Sequence, residues 1–323
     1  YLTEKKTDIL SFGTQKQLAA NLGYQSSSHS QPVEEFMRDY YLHATNIYTF
    51  SQNLFEHCRQ SKRSLKKVIS SLTKKAMGNG FHISDSSLVY EGDAKEDFKK
   101  DKLLLLTALE LCKQHQVLPD FKLHRQMRLS KNLVNAQFVN TEEVRNFLFS
   151  VLKNKTAEKI LRLMHETNIL GQILPEFGLS HCKVNHDFYH HYTADEHSLR
   201  VIRFLDELFV TSITNPTDLS ALYQDYPHKG ILKLSALVQS LRKIPAGDPG
   251  EFLGPLTKRL NLKKSDSQIL FFLLNNPYTM IETALHQDIH QPAVIRKFSK
   301  TVASPERLKG LYLLSYAELR AVA

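Results

Sequence analysis

Apolar residues that return every three or four positions constrain this chain more than any other feature. Val33, Phe36, Met37, Tyr40, Tyr41, Ala44, Ile47, Tyr48 and Leu54 form one such stripe, about six turns of helix long. Pro32 stands near its start, where a missing amide costs nothing. The same spacing predicts helices over residues 102–114, 141–152, 156–167, 194–210, 230–241, 250–260, 264–275, 292–301 and 305–322. Thr141 opens one of them with a hydroxyl cap, and Glu142 and Glu143 follow in its first turn. The segment from Gln25 to Ser30 is small and polar and reads as a loop, and Gly78-Asn79-Gly80 reads as a breaker. After it, Phe81-His82-Ile83 and Ser87-Leu88-Val89-Tyr90 alternate enough for two strands. The expected fold is therefore mainly α, with at most a short β-hairpin near 81–90. No internal repeat at a fixed period is present.

At 323 residues the chain has room for two ordinary domains. No apolar run approaches the roughly 18 residues of a membrane span, so no membrane partner is expected. Tyr1-Leu2-Thr3-Glu4 has neither an initiating Met nor a signal pattern, and reads as the middle of an element. The expectation is a piece of something longer. Cys58, Cys112 and Cys182 are odd in number and far apart, which argues against a disulfide framework and for a reducing, cytoplasmic location. The formal charge of +9 invites a nucleic-acid reading. However, the lysines are spread along the chain. The densest runs, Lys62-Arg63, Lys66-Lys67 and Lys74-Lys75, sit at helical spacing beside Leu65, Val68, Ile69 and Leu72, as on a solvated helix face.

The most chemical stretch runs from His181 to His197 and holds five His, two Asp and one Glu. Imidazole and carboxylate are ligands for borderline and hard metals. A hydrolytic centre must nevertheless gather ligands from several helices and leave positions open for water and substrate. One segment cannot do this alone.

Leu170-Gly171-Gln172-Ile173-Leu174-Pro175-Glu176-Phe177, followed by His186-Asp187-Phe188-Tyr189-His190-His191-Tyr192-Thr193-Ala194-Asp195-Glu196-His197-Ser198-Leu199-Arg200, resembles the bacterial PII uridylyltransferase/uridylyl-removing enzyme family. The segments from Gln15 to Tyr24 and from Val33 to Ala44 resemble that family's helices after the nucleotidyltransferase domain. Pro305-Glu306-Arg307-Leu308 and the segment from Leu311 to Val322 resemble the closing helices of its HD domain. The resemblance implies a helical connector over 1–178 and an all-α HD-type domain over 179–323.

On the same resemblance, the family's first metal-binding His falls on His197. Its paired His-Asp falls on Gln239 and Ser240, a further His on Pro249, a His-His pair on Asn275-Asn276, and the closing Asp on Glu318. Gln and Ser are weak neutral ligands, and Pro and Asn cannot replace imidazole. His186-Asp187 lies upstream and is not the metal-binding pair. The implied reading is thus a pseudo-enzyme: no catalytic residue, no metal and no cofactor in this chain, with Mg expected only for a transferase domain outside it. The residues expected near an emptied, ligand-binding pocket are His190, His191, His197, Lys233, Arg242 and Lys243. His43, His124 and His165 read as surface or core residues. The family implies a PII-like regulator or a nucleotide as partner, in nitrogen signalling. Two other readings stay open: a nucleotidyltransferase-associated module acting on RNA, and a metal phosphohydrolase with an altered ligand set built on the segment from His181 to His197.

Overall fold

The computed structural model describes residues 10–26, 30–61, 75–184, 192–210, 218–239 and 249–322. Helix α1 (Phe12–Asn21) packs on the long α2 (Pro32–Ser61). Strands β1 (Lys75–Gly78), β2 (Phe81–Ser84) and β3 (Ser87–Tyr90) follow, then α3 (Ala94–Lys100), α4 (Leu103–His115) and β4 (Leu118–Pro119). A helical run comes next: α5 (Phe121–Leu129), α6 (Ala136–Val139), α7 (Glu142–Leu152), α8 (Ala157–Glu166), α9 (Leu170–Ile173) and α10 (Pro175–Gly178). The remaining helices are α11 (Ala194–Val210), α12 (Leu219–Asp225), α13 (Lys229–Val238), α14 (Pro249–Arg259) and α15 (Lys264–Asn275). They end with α16 (Thr279–His286), α17 (Pro292–Val302) and α18 (Pro305–Val322). The fold is mainly α, and the described residues hold a helix in the long apolar stripe and in each of the nine ranges expected from periodicity between 102 and 322.

The sheet is larger than the expected hairpin. Four strands lie in the order β1-β2-β3-β4, antiparallel except that β4 runs parallel to β3. Gly78-Asn79-Gly80 does not break the chain but turns it between β1 and β2, with all three residues at positive φ. An Asn-Gly pair favours such a tight hairpin turn. Asp85 and Ser86, also at positive φ, make the second turn. Lys75 is therefore the first residue of a strand and not part of a helix face; the basic runs at 62–67 and Lys74 lie outside the described residues.

Several helices escaped periodicity because they are short or carry little apolar face. Helix α16 is only eight residues long and buries none of them, so the short stripe of Met280, Ile281, Ala284 and Leu285 is easily passed over. Helices α3 and α5 are instead set by their starts, where Asp93 and Asp120 accept backbone hydrogen bonds from Lys95 and Leu123.

A single buried cluster runs from Phe81 in β2 to Ala321 in α18. The boundary expected at 178/179 falls inside it, since Phe177 and Leu199 belong to the same cluster. Helix α11 lies at its centre and packs against α8, α12, α13 and α18. A smaller cluster of Ala19, Val33 and Met37 joins α1 to α2, with Val184 against it. The long stripe of α2 is buried only at this end. Ile47, Tyr48, Phe50 and Phe55 are each at least 66% exposed.

Gly171 and Gly178 let α9 and α10 lie against each other: a Cβ on Gly171 would stand 3.3 Å from the Gly178 Cα. Arg259 of α14 ties this corner down, bonding Glu176 at 2.6 Å and the Ile173 carbonyl at 3.0 Å. This holds the chain entering the histidine segment at a fixed place beside α8.

Candidate functional site

The Asp195-Glu196-His197 motif occupies the first turn of α11. At 3.6 residues per turn, positions two apart point about 200° around the helix from each other. The three side chains consequently serve three different neighbours. Glu196 forms a two-point ion pair with Arg162 of α8, at 2.8 and 3.1 Å. His197 turns inward, only 7% exposed, and its Nε2 meets Glu318 of α18 at 2.6 Å. Asp195, 3% exposed, turns toward the end of α8 and the turn after α10.

The family's hydrolytic metal would need more than the pairing of His197 with Glu318 supplies. His197 and Glu318 are in direct hydrogen-bond contact at 2.6 Å. Two ligands of one ion with bonds of about 2.1 Å stand roughly 3.0–3.4 Å apart. Among the described residues no third His, Cys, Asp or Glu joins the pair. Gln239, partly buried at the end of α13, offers only a neutral amide, and Ser240 lies outside the described residues. Pro249 begins α14, and Asn275 and Asn276 end α15, where the Asn276 side chain bonds the Phe272 carbonyl. Among the described residues the donor set does not fit that metal. The second carboxylate oxygen of Glu318 is buried with no hydrogen-bond partner among the described residues, which leaves one acceptor open in this place.

Asp195 is the hub of the other arrangement. Its Oδ2 accepts from His181 Nδ1 at 3.0 Å, from the Cys182 amide at 3.0 Å, and stands 3.2 Å from His165 Nε2. The Cys182 amide reaches it because Cys182 adopts a left-handed backbone, φ 52°. The hydrogen bond to Asp195 pushes His181 up to about 10, with Cys182 adding to it and burial opposing. Burial would raise Asp195, but hydrogen bonds from His165 and His181 outweigh it and hold the carboxyl well below the usual carboxylate range. His165 stands edge-on to both Phe177 and His181, with ring centroids 5.3 and 5.2 Å away.

Lys233 corrects an expectation. It is fully buried, not beside a ligand pocket; its ammonium donates to Asp206 of α11 and to the Asn154 carbonyl at 2.7 Å. Burial pushes Asp206 up and Lys233 down, while each partner opposes the other's shift. His190, His191, Arg242 and Lys243 lie outside the described residues. Of the residues set aside as surface or core, His165 is the one that joins a cluster. Nothing in its helical context marked it, because its partners are 16 and 30 positions away in sequence.

The fold and the site define a mainly α chain with a small appended sheet and an Asp-Glu-His motif divided among three neighbours. The family model described as GlnD PII-uridylyltransferase matches residues 1–55, and that described as uridylyltransferase GlnD third domain matches residues 85–173. Relatives named bifunctional uridylyltransferase/uridylyl-removing enzyme align along the whole length. That of Bradyrhizobium sp. (strain ORS 278) is 28% identical over 341 residues, covering 100% of this chain and 36% of the relative. That of Pseudomonas putida (strain W619) is 28% identical over 333 residues, covering 99% and 36%. That of Zymomonas mobilis is 27% identical over 336 residues, covering 99% and 35%. The chain thus spans little more than a third of the length of these relatives. Along these matches the chain is similar to the GlnD PII-uridylyltransferase family.

Proposed function

We propose that this chain is the helical connector and a degenerate HD domain of a PII-uridylyltransferase-type protein, and that it regulates and scaffolds without hydrolysing phosphodiesters. The observation that carries this reading is the closure of His197 onto Glu318 at 2.6 Å, with Gln239 on the helix where the family has its His-Asp pair. Without a bound divalent ion, water keeps its high pKa, and no hydroxide forms near neutral pH to attack the phosphorus. The open acceptor on Glu318 suits a hydrogen-bond donor on a nucleotide or a partner, and so supports a binding role. The partner class is a PII-like regulator in the cytoplasm, and any transfer of UMP belongs to residues outside these 323.

The test is release of UMP from a uridylylated PII-like regulator, measured with the 323-residue chain and added manganese or zinc. No release above the protein-free control is expected. Metal-dependent turnover would overturn the reading.

A further inference from the structure

We propose that His165, His181 and Asp195 form a binding site for one divalent transition cation of the zinc class, which clamps together the end of α8, the turn after α10 and the first turn of α11. The site is independent of whether the domain hydrolyses anything, because Asp195 leaves α11 on the side away from His197.

Three observations carry it. First, ligand atoms from three separate elements converge: one atom from each residue lies within 4.8 Å of the other two. His181 Nδ1 and His165 Nε2 stand 3.0 and 3.2 Å from the same carboxylate oxygen. That spacing matches the roughly 3.0–3.4 Å between neighbouring ligands on an ion with bonds near 2.1 Å. The cation would take the place of the protons that now link the imidazoles to the carboxylate. Second, two imidazoles and one carboxylate are a ligand set that zinc and its neighbours accept, whereas calcium and magnesium prefer oxygen alone.

Third, the surroundings are built to hold these ligands. The Cys182 and Glu196 amides donate to the two Asp195 oxygens, each at 3.0 Å. Such outer hydrogen bonds orient a ligating carboxylate. The His165 ring is wedged between Phe177 and His181. Burial is graded as well. The Asp195 side chain is 4% exposed, those of His165 and His181 20% and 34%, so one side is open for the ion to enter and for water to complete its coordination. This departs from the expectation that the chain carries no metal.

The experiment uses the whole chain, stripped with chelator and titrated with Co(II) and then Zn(II). One equivalent of Co(II) with tetrahedral-type visible absorption, displaced by Zn(II), is expected. His181→Ala changes a surface turn and leaves the core alone; it and His165→Asn should each weaken binding at least tenfold. Because the chain has fifteen His, binding that persists unchanged in both variants would overturn the proposal, as would no stoichiometric binding by the unaltered chain. Hydrogen exchange on the unaltered chain gives a readout free of folding effects. Zinc should slow exchange in residues 178–184 and at the start of α11, and unchanged rates there with zinc bound would also sink the site. Zinc binding without UMP release agrees with both proposals. UMP release that survives His181→Ala would end the pseudo-enzyme reading and leave this site standing.

Discussion

Lys233 and Asp206 show how much a single buried charge can matter. The ammonium is fully buried and its two oxygen partners come from α11 and from the connection after α7. Replacing Lys233 by Met leaves the Asp206 carboxylate buried without its counter-charge. Urea denaturation should record a loss of about 3–5 kcal/mol for that single change. The double variant Lys233→Met with Asp206→Leu should be no less stable than the single one, because it removes the stranded charge. The cysteines give a second measurement at this scale. Burial pushes the Cys112 thiol up to about 12, while Cys58 is exposed on α2. A thiol reagent at pH 8 is expected to modify Cys58 quickly and Cys112 only after unfolding, read by peptide mass.

Among the elements, the close approach of α18 to the chain between α12 and α13 depends on one missing side chain. A Cβ on Gly310 would stand 2.3 Å from the Tyr226 hydroxyl oxygen, and Tyr226 is itself fully buried. Gly310→Ala should therefore destabilise the protein by about 1–3 kcal/mol in thermal or urea unfolding, although alanine is the better helix former. An unchanged or raised stability would mean that α18 can shift away at no cost. The first turn of α11 teaches a different lesson. Three adjacent side chains, Asp195, Glu196 and His197, fasten it to three elements, so one short motif sets the place of α11 against α8, α18 and the turn after α10.

On the scale of the whole molecule, the continuous core matters most. Leu152, Leu161, Met164 and Phe177 share one buried cluster with Leu199, Leu232, Leu270 and Leu314. A chain cut to residues 179–323 would expose the faces of α11 and α13 that α7, α8 and α10 cover. Such a piece is expected to aggregate or to lack a cooperative unfolding transition by circular dichroism, whereas the whole chain should keep one. A stable, monomeric 179–323 fragment would show instead that the expected boundary at 178/179 divides two independent folding units.

The longer helices, the mainly α class and the family resemblance were legible in the sequence, because apolar periodicity and long motifs are local properties of the chain. The assignment of Gln239, Ser240, Pro249 and Asn275-Asn276 to the family's ligand positions rests on the resemblance alone. Strand β1 and the sheet's parallel edge could not be read. The first was hidden behind lysines, and the second pairs residues about thirty apart. What only the tertiary structure decided is which polar groups meet. Lys233 reads as basic and available, yet packing buries it on Asp206. His165 reads as an ordinary helix residue, yet α8 lies where its ring reaches Asp195. Sequence spacing sets the face on which a side chain leaves its helix, but only the packing of one helix on another brings charges separated along the chain to within three ångströms.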